Sequence, residues 1–162
     1  MLKYKFRTLD GEPVDDVIKY SLRVLSRTAG KGTKIYVGSD SQKLRKKVAY
    51  AVCIAFRYGN RGCHVLKYTW SEKRVKGLSK ADYVRLRLTK EIEATMEAAA
   101  FLTENGIKVH QVDFDLNGDK DTLSHGLVTY AKGWASGVGM RAATKPEELV
   151  AAKAANNLVN KH

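Results

Sequence analysis

The run KVAYAVCIAFRY at residues 47–58 constrains the fold of this chain more than any other stretch. Twelve residues rich in Val, Ile, Tyr and Phe, with no Gly or Pro among them, predict a long β-strand. Gly59-Asn60-Arg61-Gly62 is hairpin-turn chemistry, so CHVLKYTW at 63–70 is predicted to return antiparallel to it. Upstream, TKIYVGSD at 33–40 carries Ile35 and Val37 and reads as a buried strand.

Helical and extended patterns alternate after the hairpin. A basic loop at 71–78 holds Lys73, Arg74 and Lys76, and Ser79 is an N-cap with Asp82 in the first turn. The helix it opens runs to about Glu104, with Val84, Leu88, Ile92, Met96 and Ala99 at helical spacing and Asn105-Gly106 as its stop. IKVHQVDFDL at 107–116 alternates apolar with polar residues, as a strand does. Asn117-Gly118 turns, a helix is expected over 122–135, a short strand over 137–144, and a last helix from Pro146 to the C-terminus. Ahead of all this, an extended piece at 2–7, a turn at Gly11 and a helix at 14–26 form an N-terminal addition, residues 1–32, to a core of residues 33–162. Val17, Leu22 and Leu25, with Ile18 and Tyr20, are that helix's apolar face, and Gly30-Lys31-Gly32 ends it. The core order β-β-β-α-β-α-β-α implies an α/β domain: a mixed five-stranded sheet, three antiparallel strands then parallel ones, flanked by helices.

A chain of 162 residues suits one domain with one sizeable core. No apolar run approaches the roughly 20 residues needed to cross a bilayer, and the N-terminus has charges where a signal peptide is apolar, so the expected compartment is the cytoplasm. There Cys53 and Cys63 remain thiols and are read as structural. The charge balance says more. Lys+Arg outnumber Asp+Glu by 29 to 17, a formal +12, and so basic a domain attracts polyanions, nucleic acid above all.

Several acids stand where sheet and helices could bring them together. Asp40 closes the first core strand in VGSDSQ, although Ser39-Asp40-Ser41 is equally good turn chemistry. Glu91 lies at the edge of the long helix's buried face, whereas Glu93 falls off that stripe toward solvent. Asp113 and Asp115 share one face of their strand, where a bound cation would compensate both; a solvated face would suit them as well. Asp119 and Asp121 in the next turn read as solvated. Hard oxygen donors of this kind suit Mg2+ or Mn2+. The last helix offers Asn156 where a further acid would be expected.

At these residues the chain resembles the YkuK family of ribonuclease-H-like predicted nucleases, over about residues 35–161. Gly38-Ser39-Asp40-Ser41-Gln42 is similar to the family's first motif, the Arg-rich helix leading into Glu91 to its second acidic element, and Asp115-Leu116-Asn117 to its third. Trp134, Gly137, Gly139 and Lys145-Pro146 resemble its closing segment, where Ala155-Asn156 stands in place of the family's Ala-Asp. The element order also matches the ribonuclease H fold. The resemblance implies a divalent-metal nuclease acting on RNA, DNA or a hybrid. Asp40, Glu91 and Asp115 would be the ligands of Mg2+ or Mn2+, with Asp113 and Asn156 as lesser members of the catalytic set. Ser41, Gln42, Lys43, Arg45, Lys46, Lys47, Lys73, Arg74, Lys76 and Lys145 are the expected contacts to nucleic acid, and Tyr68 and Trp70 are candidate stacking platforms. His110 reads as packed or solvated, and His125 as a possible proton-transfer group. Asn156 adds no charge, which motivates the alternative of a nucleic-acid-binding protein that has kept the fold with a weakened metal site.

Overall fold

The computed structural model describes residues 2–117, 125–145 and 147–160. It is α/β, with one six-stranded mixed sheet and four helices. The elements are β1 (Arg7–Thr8), α1 (Val17–Arg27), β2 (Lys34–Lys43), β3 (Lys47–Tyr58), β4 (Gly62–Lys73), α2 (Lys80–Glu104), β5 (Gln111–Asn117), α3 (His125–Gly137), β6 (Ala142–Lys145) and α4 (Ala151–Val159). The strand order is β1-β4-β3-β2-β5-β6: β1 to β4 pair antiparallel, and β2, β5 and β6 run parallel.

The sixth strand is the one not expected. The N-terminal segment adds a two-residue edge strand to the sheet, Arg7 opposite Lys67, and sends Tyr4 and Phe6 into the core. Helix α1 starts later than expected because Asp16 caps it, accepting from the Lys19 N–H at 3.0 Å. Its inner face differs too. Ser21 takes the buried position with its hydroxyl donated to the Val17 carbonyl, while Leu22 is 54% exposed.

The pattern of β3 explains how helices cover both faces of the sheet. Val48, Tyr50, Val52, Ile54 and Phe56 alternate with Ala49, Ala51, Cys53 and Ala55, and all are buried. The large residues meet α1, α2 and α3 on one face. The small ones, with Gly38 of β2, let the Ala-rich α4 approach the other face closely. A Cβ on Gly38 would lie 2.6 Å from the Ala152 nitrogen. Ser79 caps α2 as expected, accepting from Asp82 N–H at 3.1 Å. Val84 and Leu88 are only half-buried, Tyr83 packs on β3, and most of the helix's buried positions come from Glu91 onward.

Toward the C-terminus three boundaries move. Strand β5 begins at Gln111, after an extended approach that buries Ile107 and Val109. Helix α3 continues to Gly137, and Gly139 at φ +75° makes the reversal into β6, which shortens that strand to four residues. Helix α4 begins at Ala151 rather than Pro146. Pro146, Asp119, Asp121 and the expected start of α3 near Thr122 lie outside the described residues. Among those described, no helix is long and apolar enough to cross a membrane.

Candidate active site

Asp40 does not end its strand. β2 continues to Lys43 in register with β3, but its pairing with β5 stops at Ser39 opposite Phe114. Asp40 is thus the first residue past the point where β2 and β5 part, the notch of a parallel sheet where ligands are received. Its side chain shares the face of Gly38, toward α4, and is 7% exposed. Asn156 of α4 donates its Nδ2 hydrogen to Asp40 Oδ2 at 2.7 Å. Burial raises the pKa of Asp40 and the charge of Asp115 adds to the rise, against the hydrogen bonds from Asn156 and the Ser41 backbone.

Glu91 comes from α2 and is buried. Ser41 donates its hydroxyl to Glu91 Oε2 at 2.6 Å, and Arg87 Nε and Nη2 hold Ser41 through its hydroxyl and carbonyl, each at 3.2 Å. One turn further, Ser39 Oγ donates to the Glu91 carbonyl and meets Thr95 Oγ1 at 2.7 Å. Burial lifts the Glu91 carboxyl well above its usual range, and the charges of Asp40 and Asp115 lift it further. Asp115, from β5, has Lys145 Nζ 2.8 Å from its Oδ1, an oxygen that is buried and lacks an aligned hydrogen bond. The pairing raises the Lys145 pKa and keeps it charged. β2, α2, β5 and β6 thus converge on one acidic notch with a single lysine at its rim.

Asp113 shares the face of Asp115 but has a different partner. Its Oδ2 accepts from the N–H groups of Ala151 and Ala152, at 2.7 and 3.4 Å, and its Oδ1 from Gln111 Nε2 at 2.7 Å. The charge that a shared cation was expected to compensate is met by the N-terminus of α4, where no residue of the helix itself supplies a side-chain cap. Burial still raises the Asp113 pKa, with these hydrogen bonds opposing it. Asp113 is therefore a helix-positioning residue, and it sets where Asn156 reaches Asp40.

The acidic donors around the notch are carboxylate oxygens, which suit a hard divalent ion. In the arrangement described, Asn156, Ser41 and Lys145 already engage the three acids. Among the described residues no three Asp, Glu, His or Cys side chains stand together at metal-ligating spacing. Lodging an ion requires Lys145 to leave Asp115.

The expected basic residues divide. Lys43, Arg45, Lys46, Lys73, Arg74 and Lys76 line one cleft between the β2–β3 turn and the β4–α2 loop, with Arg87 as its wall toward the notch. Lys47 lies next to it, opposite Lys73 across β3–β4. Ser41 is committed to Glu91, Gln42 is half-buried on the same strand, and Lys145 belongs to the notch. Tyr68 and Trp70 are engaged by other rings: Trp70 stacks with Tyr50 at 5.1 Å between centroids and with Tyr4 at 5.6 Å. His110 packs edge-on to Tyr36. Lys34 and Tyr36, which line the same hollow as His110, begin the strand that ends past Asp40, so His110 lies at the other end of the sheet. His125 opens α3, and its side chain lies outside the described residues. Of the two cysteines, Cys53 is buried and Cys63 exposed, both free. Arg87 was not singled out by number in the sequence; its signals were its place a helical turn ahead of Glu91 and the Arg-rich stretch it belongs to.

A protein-family model described as Ribonuclease H-like matches residues 16–160. The chain belongs to the ribonuclease H-like family. The match begins within the segment expected to be a mere addition, and it accords with the mixed sheet and with acids drawn from β2, α2 and β5. At the level of the family, the function is that of a nuclease or a nucleic-acid-related protein. Comparison with curated proteins gives no match.

Proposed function

We propose that this ribonuclease H-like chain is a divalent-metal-dependent phosphodiesterase that hydrolyses RNA, DNA or a hybrid, as its resemblance to the YkuK nucleases implies. The observation that carries the reading is that separate elements bring acids to one end of the sheet: Asp40 just past the point where β2 and β5 part, Glu91 of α2 held by the neighbouring Ser41, and Asp115 of β5. Asp40 and Asp115 both raise the pKa of Glu91, and Asp115 raises that of Asp40, an arrangement that disfavours three bare carboxylates and favours a cation among them. Asp40, Glu91 and Asp115 would hold Mg2+ or Mn2+, which when bound supplies an activated water and stabilises the leaving oxygen. Ser41 and Arg87 fix the Glu91 carboxyl, and Asn156 fixes the Asp40 carboxyl, so both are oriented before substrate arrives. Lys145, released from Asp115, would be free to meet a phosphate at the same notch. Labelled single strands, duplexes and hybrids incubated with Mg2+ or Mn2+ test the proposal. Cleavage is expected, with Asp40→Asn losing at least about two orders of magnitude; a purified Asp40→Asn protein that cuts as fast as wild type refutes it.

A second reading is favoured by the same contacts. Asn156 lends no charge, and Lys145 already neutralises Asp115, so the notch is balanced without an ion. In that case the chain binds nucleic acid without cutting it. Salt-sensitive binding with no turnover in either metal would select this reading.

A further inference from the structure

The basic cleft has features that attraction to phosphate does not require. We infer that it is a pocket for an unpaired stretch of a nucleic-acid strand, one that seats a base as well as phosphates; this rests on nucleic acid being what the protein handles. The cleft measures about 1040 Å³, and every charged residue lining it is a lysine or arginine. None of these makes an ion pair among the described residues, although six ion pairs form elsewhere. Uncompensated cations on concave walls hold a polyanion by displacing its counterions.

Two further observations point to more than a backbone track. Val75 and Leu78, 49% and 41% exposed, stand in the wall of the same cleft. Scattered exposed apolar residues are ordinary, but these two face a cavity with Tyr83. Tyr83 is 7% exposed, and its hydroxyl is buried without a hydrogen-bond partner. Its ring has Lys43 and Arg74 over it, at 5.7 and 5.1 Å. The ring thus lies beneath two of the cleft's cations, in the wall that a base and its phosphate would meet. A duplex keeps its bases stacked inside and offers such a pocket only phosphate. An unpaired strand offers both the phosphate and an apolar base face, which Val75 and Leu78 would cover. Arg87 joins cleft to notch, because it lines the cleft and also holds the Ser41 that orients Glu91. A strand seated here would run toward the notch by way of Arg87 and Ser41.

Fluorescence anisotropy of the full chain in EDTA, with short labelled oligouridine, oligothymidine and a blunt hairpin duplex, tests the pocket apart from any cutting. Either single strand is expected to bind about tenfold tighter than the duplex. Leu78→Ser, at an exposed position, should weaken single-strand binding about threefold to tenfold and leave duplex binding nearly unchanged. Arg74→Ala should lower the salt slope by about one. Equal affinity for duplex and single strand, or a Leu78→Ser protein that binds as wild type, overturns the inference. Equal displacement by inorganic polyphosphate, charge for charge, overturns the base contact in particular. Binding is read in EDTA, where no metal-dependent cutting takes place, so loss of the nuclease reading and loss of the pocket give different results.

Discussion

Asn156→Asp would turn the donor facing Asp40 into a second carboxylate. The change removes a 2.7 Å hydrogen bond to a charged acceptor, worth about 1.5–3 kcal/mol. It also sets two carboxylates against each other. At a separation of roughly 4 Å and an effective dielectric constant near 20, their repulsion is about 4 kcal/mol. The pair can escape part of this by sharing one proton, which at pH 7 costs about 1.36 kcal/mol for each unit between the solution pH and the pair's raised pKa. Between the lost hydrogen bond and the full repulsion a net loss of about 3 kcal/mol is expected at neutral pH, and it shrinks as pH falls and the shared proton becomes easier to hold. For a chain of this size that is a fall in Tm of roughly 6–12 °C at pH 7.5. The folded pair holds a proton that the unfolded chain has released, so stability is present at low pH and is lost as pH rises through the raised pKa. Manganese should reverse the loss, because an ion at one hundred times its Kd restores about 2.7 kcal/mol. Thermal melts at pH 5 and 7.5, with and without Mn2+, read all of this. A variant that melts with the wild type at both pH values, or that gains nothing from Mn2+ beyond the wild-type gain, would refute the placement of Asn156 against Asp40 in a metal-receptive notch.

Asp113→Ala should cost about 3 kcal/mol in urea denaturation, since three donors lose a charged acceptor and α4 loses the carboxylate that caps its first N–H groups. Gly38→Ala should cost about 1–3 kcal/mol by the same measure, because the new methyl meets the α4 backbone rather than a side chain that can move. The raised carboxyls of Asp40 and Glu91 make the folded state the better proton binder, so their contribution to stability falls as pH climbs from the ordinary carboxylate range through their raised values. Glu91→Gln should flatten the dependence of Tm on pH across that window, and an unchanged slope would count against the coupling. Lys145→Ala frees Asp115 and should raise Mn2+ affinity in calorimetry while slowing cleavage; unchanged affinity would show that the lysine does not guard the notch.

Local pattern carried most of the fold. The turn after KVAYAVCIAFRY, the Ser79 cap and the Asn105-Gly106 stop are short-range chemistry, and each stands in the structure where the residues place it. Helical position puts Glu91 only at the edge of the buried face and Glu93 off it; in the structure Glu91 is buried and Glu93 exposed. The end elements were less legible because their boundaries depend on contacts from elsewhere. Helix α4 starts at Ala151 because a carboxylate on β5 caps it, and β1 exists because β4 offers a free edge.

At the site, the sequence by itself determined which residues carry charge and which strand or helix each acid rides on. Period-two alternation put Asp113 and Asp115 on one face, and that much is intrinsic to a strand. Their separate fates were decided only by tertiary structure. The Asp113 carboxylate meets the first N–H groups of α4, while Asp115, two residues on, meets the lysine at the end of β6. Likewise Asp40 is a strand residue by sequence, and it becomes a notch residue only because β5 leaves β2 at Ser39. Charge type is a property of the residue, whereas its pKa, its partner and its access to an ion belong to the neighbours that long-range packing brings within a few ångströms.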